Sequence, residues 1–240
     1  MSEKNVISMR NKVLSAVANN LDGFYLAGGT ALSLFYFQHR ESYDLDFFTE
    51  AFEKRKVENF VSHIEKVIGK PVKLIGEESR GNMAEMLVYS VKVDKDDSLI
   101  IDFIQDVYEK IDSLKIVDGV PILSIKDIYL RKLYTTCGVF QKESVIGRKV
   151  HWGGRQEAKD FFDLYYLSTT KMPLSEFIDK YCSVQEKENA VLWFRSYDRD
   201  TTKMSLGDIK TKTIIDYKKM EKHFHEEIKK LLKADLTDVM

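Results

Sequence analysis

Asp44 and Asp46 stand one residue apart in the run Ser42-Tyr43-Asp44-Leu45-Asp46-Phe47-Phe48. In a β-strand successive side chains point to opposite faces, so the two carboxylates share one face while Leu45 and Phe47 share the other. Paired carboxylates repel each other, and such a pair persists where a cation sits between them; Mg²⁺ is the ordinary choice for oxygen ligands next to phosphates. Upstream, Gly28-Gly29-Thr30 opens an apolar, helix-length run. Bare backbone N–H groups at such a turn bind phosphate, although a glycine pair also serves as a plain tight turn and Thr30 as a plain N-cap. A third acid, Asp102, is the single charge within the apolar run Leu99-Ile100-Ile101-Asp102-Phe103-Ile104, where a carboxylate needs a partner or a metal. Three such carboxylates suit metal-assisted phosphoryl or nucleotidyl transfer.

Periodicity indicates the helices and strands that carry these residues. Val6, Met9, Val13, Leu14 and Val17 predict an amphipathic helix over residues 5–20. A buried strand is expected at residues 24–27, a buried helix at 31–39, a second strand at 42–48 and a surface helix ending near Lys66. Strand character returns at 72–75, 86–93 and 99–104, the last two joined by the polar turn Asp94-Lys95-Asp96-Asp97 as a hairpin. Gly119-Val120-Pro121 reads as a boundary, and Ser124 as the N-cap of a helix over 125–137. A looser stretch then leads to a helix over 159–168, another begins after Met172-Pro173, and helical periodicity continues to the Lys-rich end. The fold class expected is α+β: an α/β region over residues 1–122 with a mixed sheet and flanking helices, then a helical region over 123–240.

A formal net charge of -1 gives no global attraction to nucleic acid, so a polyanionic partner would need a local basic patch. The N-terminal stretch is too polar for a signal peptide and no apolar run reaches membrane-spanning length, so a cytoplasmic protein with no membrane contact is expected. Cys137 and Cys182 lack ligand spacing and are expected as reduced structural thiols. His39, His63, His151, His223 and His225 form no ligand pattern. Trp152 is either a base-stacking ring or a packing anchor.

The motifs Gly28-Gly29-Thr30-Ala31-Leu32 and Arg40-x-Ser42-x-Asp44-Leu45-Asp46-Phe47-Phe48, with Lys132 in a later helix and Arg155 ahead of Lys159-Asp160-Phe161-Phe162-Asp163-Leu164, resemble in that order the AbiEii/AbiGii toxin group. That group lies within the minimal nucleotidyltransferases of the DNA polymerase β-like superfamily. The resemblance covers about residues 20–170. It implies a polymerase β-like nucleotidyltransferase core over 1–122, with the helical lobe over 123–240 completing the active-site cleft. It further implies an NTP substrate with Mg²⁺ or Mn²⁺, transfer of NMP to an acceptor hydroxyl such as a tRNA 3′ end, and a separately encoded antitoxin. By position, Gly28, Gly29, Thr30, Arg40, Ser42, Lys132 and Lys159 would meet the nucleotide. Asp44 and Asp46 would hold the metal, and Lys132, Asp160 and Asp163 would join them in catalysis; Asp102, outside the motifs, is chosen as the third metal carboxylate because it is the lone charge in its apolar strand. Transfer to a protein or small molecule, or a degenerate nucleotide-binding module without catalysis, are the alternatives the residues leave open.

Overall fold

The computed structural model describes residues 2–21, 23–78, 84–138, 140–143, 149–152, 154–155 and 157–237. Side chains of residues 2, 140–143, 149–152 and 234–237 lie outside that description, and with them the two readings of Trp152. The chain divides into two compact units, residues 1–128 and 129–240. Among the described residues no helix is long and apolar enough to cross a membrane.

The first unit runs α1 (Ser2–Val17), β1 (Tyr25–Leu26), α2 (Gly28–Ala31), a π-helical continuation (Leu32–Phe37), β2 (Leu45–Thr49) and α3 (Lys54–Ile68). It continues through β3 (Val72–Glu78), β4 (Met86–Lys92), β5 (Ser98–Gln105), β6 (Lys115–Val117), β7 (Val120–Ile122) and the start of α4 (Ile125–Cys137). Seven strands form one mixed sheet in the order β3-β4-β5-β2-β1-β7-β6. The β2/β5 and β1/β7 pairs are parallel and the others antiparallel.

Strand alternation decides what each face of the sheet carries. Leu45 and Phe47 on β2, and Leu99, Ile101 and Phe103 on β5, are fully buried, whereas Asp46 and Asp102 between them are half-buried. On the buried face Phe47 stacks on Phe103 at 5.7 Å between centroids, and Phe60 of α3 meets both rings edge-on at 5.6 and 5.5 Å. Phe24 and Tyr89 close the same cluster against Phe103. Helix α3 owes its place to Val57, Phe60, Val61 and Ile64, an apolar stripe at helical spacing, and it ends at Gly69 in the left-handed conformation.

Several boundaries differ from the sequence expectation. The helix begins at Gly28 rather than residue 31 and widens to π geometry from Leu32, closing at Gln38 with φ 52° and a bond from its N–H to the Ser33 carbonyl at 3.0 Å. The strand expected at 42–48 spans Leu45–Thr49, so Ser42 and Asp44 precede it. The expected boundary at Gly119 is the turn between β6 and β7, and Ile122 pairs with Leu26 inside the sheet. Strands of three residues are too short to display a period, which is why the sequence shows only their turn. The looser stretch after residue 138 carries the hairpin β8 (Phe140–Glu143) and β9 (Lys149–Trp152).

Helix α4 starts where expected. The Asp127 N–H donates to Ser124 Oγ at 3.2 Å, while the Asp127 carboxylate accepts from that hydroxyl at 2.5 Å and from the Ile111 and Asp112 N–H groups at 2.6 and 3.1 Å. Tyr36 donates to the Leu123 carbonyl at 2.9 Å, and burial, reinforced by Asp127, pushes its phenol up to about 12.

The second unit completes α4 and adds the β8–β9 hairpin, α5 (Ala158–Thr170), α6 (Leu174–Tyr181), α7 (Val184–Ser196), α8 (Arg199–Leu206) and α9 (Tyr217–Thr237). α5 is buried on most sides, and Phe161 contacts Trp193, Tyr197 and Phe224 in an aromatic core. Met220, Phe224, Ile228 and Leu231 form the buried stripe of α9. Ser183 and Glu186 form a capping box at the start of α7, and Glu227 of α9 accepts from the N–H and hydroxyl of Ser175 at 2.9 and 2.7 Å, satisfying the start of α6.

Phe103 touches four rings at once, so Phe103→Ala is expected to lower stability by about 3–5 kcal/mol, read as a drop in the urea midpoint. An unchanged midpoint would show that this cluster is not the core of the sheet.

Candidate functional site

The first cluster is built by the turn from β1 to α2 against β2. Ala27 is extended, and its N–H donates to the Asp46 carbonyl at 2.9 Å, so the turn is laced to the strand that carries the acid. Gly28 follows with φ 68°, a conformation costly for any other residue. A Cβ built there would lie 2.1 Å from Asp46 Oδ2 and 2.9 Å from its Cγ. Glycine is therefore required twice at position 28, by backbone conformation and by the carboxylate beside it.

The approach to β2 is held by side chains from two helices. Thr30, buried, donates to the Asp44 carbonyl and its Oγ1 lies 2.8 Å from Ser42 Oγ. Ser33 donates to the Arg40 carbonyl, and Arg10 of α1 donates to the Ser42 carbonyl. Arg40 is itself buried, with Nη1 donating to the Glu41 carbonyl at 3.0 Å. Residues 40–44 are thus fixed through their carbonyls, which sets where Asp44 leaves the segment and where Asp46 enters the strand. Arg10 gave no signal in the sequence, being one polar position in an ordinary amphipathic helix.

Asp46 on β2 and Asp102 on β5 are register partners in the parallel pair, on the face opposite Phe47 and Phe103. Neighbouring strands lie about 4.8 Å apart, so the two carboxylates stand side by side. The sequence marks Asp102 as a charge out of place and a candidate third carboxylate; the register identifies Asp46 as its neighbour.

The second cluster belongs to the other unit. Lys132 Nζ lies 2.5 Å from Asp160 Oδ1 and 2.8 Å from Asp163 Oδ2, with both carboxylates fully buried and the lysine nearly so. Arg155, about half exposed, grips Asp160 bidentately, Nε to Oδ2 at 2.8 Å and Nη2 to Oδ1 at 3.0 Å. Burial opposes ionisation of Asp160, but Lys132 and Arg155 outweigh it and hold the carboxyl below its ordinary value. Asp160 and Asp163, three apart on α5, point the same way because of helical spacing. Lys159 turns instead to Glu157 at 2.9 Å, outside this cluster.

The structure therefore gathers Gly28, Gly29, Thr30, Arg40, Ser42, Asp44, Asp46 and Asp102 in the first unit, and Lys132, Asp160 and Asp163 in the second. A metal at the first cluster would meet carboxylate oxygens alone, the donor set of a hard divalent cation rather than of zinc or copper. The missing Cβ at Gly28 is what lets the Asp46 carboxylate lie against the glycine turn. The donor chemistry thus fits Mg²⁺, although among the described residues no three His, Cys, Asp or Glu side chains converge as a finished cage.

Comparison with known proteins adds two findings. Residues 12–238 match the family described as nucleotidyl transferase AbiEii toxin, type IV toxin–antitoxin system. Among solved structures the chain is similar to JHP933 of Helicobacter pylori, with 20% identity, a TM-score of 0.54, and 97% of this chain and 95% of that one covered. It is similar to the same degree to an H. pylori protein provisionally assigned as a nucleotidyltransferase, at 20% identity, a TM-score of 0.54 and 96% coverage of both chains. At such identity these two structures speak for the fold. No curated protein matches the chain.

Two outcomes test the geometry. Breaking a buried ion pair leaves a charge uncompensated, so Lys132→Met is expected to cost about 3–5 kcal/mol by urea unfolding. Because Asp160 ionises more readily folded than unfolded, its contribution is present above the ordinary carboxylate range and lost as pH falls through the folded value. Asp160→Asn should therefore flatten the loss of stability on acidification, and a wild-type and variant sharing one acid profile would remove this cluster from the acid response.

Proposed function

The chain belongs to the AbiEii nucleotidyl transferase toxin family of type IV toxin–antitoxin systems, and on that premise we propose that it transfers NMP from an NTP to the hydroxyl at a tRNA 3′ end. Membership makes it an enzyme with an NTP substrate and implies an antitoxin partner; the acceptor, the metal and the residue roles are our reading. The observation that carries this reading is the in-register pair Asp46 and Asp102 beside a glycine whose Cβ would strike Asp46.

In this reading the acceptor oxygen attacks the α-phosphorus, a new P–O bond forms, and the bond to the departing pyrophosphate breaks. Asp44, Asp46 and Asp102 would hold Mg²⁺, or Mn²⁺ in its place, which when bound neutralises phosphate charge and lowers the pKa of the attacking hydroxyl. The N–H groups of Gly28 and Gly29 at the start of the helix would meet the phosphates. Thr30, Ser42 and Arg40 act first by fixing residues 40–44, and so by holding the nucleotide turn and the carboxylates in one geometry. Lys132, with its ammonium held by Asp160 and Asp163, would act as the lysine of the family's later motif. Lys159, half-buried and paired with Glu157, would have to leave that partner to meet a phosphate. The expected setting is the cytoplasm.

Labelled NTPs, Mg²⁺ and total tRNA test the reaction. Wild-type protein should label RNA and release pyrophosphate, and Asp46→Asn and Asp102→Asn should abolish both while leaving the circular dichroism unchanged. Gly28→Ala should reduce labelling by about tenfold or more, the effect of about 1.4 kcal/mol in the transition state. Label on protein with none on RNA would replace the acceptor, and NTP-induced thermal stabilisation without pyrophosphate release would replace catalysis by binding alone.

A further inference from the structure

Cys137 and Cys182 are 45 residues apart in sequence, yet the second unit brings them to one place. Helices α4 and α6 touch through their side chains, with Tyr129 stacked on Phe177 at 4.0 Å between centroids. On α4 the residues at i+4 and i+8 from Tyr129 are Leu133 and Cys137, which lie on the same helix face. On α6 the residues beyond Phe177 toward the helix end include Ile178 and then Cys182. Leu133, Ile178, Cys137 and Cys182 all line one small cavity of about 20 Å³, about enough for one water. Each cysteine closes its helix, Cys137 as the last residue of α4 and Cys182 as the C-cap of α6, where backbones adjust more readily than in mid-helix. Both are free thiols, Cys137 buried and Cys182 partly exposed.

We propose that Cys137 and Cys182 are an oxidation site, a dithiol that hydrogen peroxide converts to an intramolecular disulfide tying the end of α4 to the end of α6. Peroxide oxidises the accessible Cys182 sulfur to a sulfenic acid and leaves as water; the Cys137 sulfur then attacks it, the S–S bond forms, and the sulfenic oxygen departs with the thiol proton as a second water. Two thiols lose two electrons to one peroxide. The cavity supplies the slack through which the two sulfurs close. Burial pushes both thiols up, Cys182 to about 12, so the pair stays protonated and the reaction is slow at neutral pH and faster in alkali. The site is independent of the transfer reaction proposed above.

The full-length folded protein is treated with hydrogen peroxide, then denatured in an alkylating reagent, and its intact mass and peptide map are read. The expected result is joint loss of both thiols, a monomer lighter by two hydrogens, a peptide linking the two cysteines, and reversal by dithiothreitol. Cys182→Ser should leave Cys137 fully alkylatable after the same treatment, and the oxidised wild type should melt at a higher temperature than the reduced protein. Two alkylated thiols, an oxidised Cys182 that never links, or a link between two chains would each overturn the pairing.

Discussion

Two like charges placed in register on adjacent strands push the strands apart, and the first unit is arranged so that they cannot move. Asp46 and Asp102 occupy such positions, and directly opposed like charges destabilise a sheet. Turning the strands over would relieve the repulsion only by exposing Phe47 and Phe103, because a one-residue slip exchanges the two faces of a strand. The stacked rings, held on three sides by Phe24, Phe60 and Tyr89, therefore fix the spacing of the acids on the other face. The core and the candidate site are the two sides of the same pair of strands.

The second unit solves a different problem, keeping charge inside. Lys132, Asp160, Asp163 and Arg155 place two cations against two anions with short contacts throughout, which is the condition for tolerating ions away from water. Glu227 obeys the same rule: burial opposes its charge, yet Lys230 and the two donors of Ser175 hold it below the ordinary carboxylate value. A helix as buried as α5 accepts acids in its interior because each has a partner fixed by another element.

Much of this could be read from the chain, for reasons that are local. Alternation in Leu45-Asp46-Phe47 and Ile101-Asp102-Phe103 encodes facing directly, and a stray carboxylate in an apolar strand is conspicuous at any register. The start of helix α4 was legible because Ser124 is a cap. Other features leave no local trace. β6 and β7 are too short for a period, and the parallel partnership of Ile122 with Leu26 joins residues distant in sequence. Thr30 has the chemistry of a cap, yet its hydroxyl reaches across to residues 42 and 44, and Arg10 joins the same segment from another helix. Helical spacing puts Lys132 on one face of α4 with Ile125 and Ile128, but no spacing reveals that two aspartates close over it.

The π-helical stretch from Leu32 to Phe37 bears on how this protein can vary over descent. A π turn accommodates one residue more than an α turn, and losing that residue would rewind the segment and rotate the chain beyond it by about 100°. The Arg40 carbonyl would swing away from Ser33, and the ties that hold Ser42 and Asp44 would lose their partners. The length of the chain between the glycine turn and the acids is therefore as much a part of the site as the side chains of Thr30, Ser33 and Arg40 that tie it down.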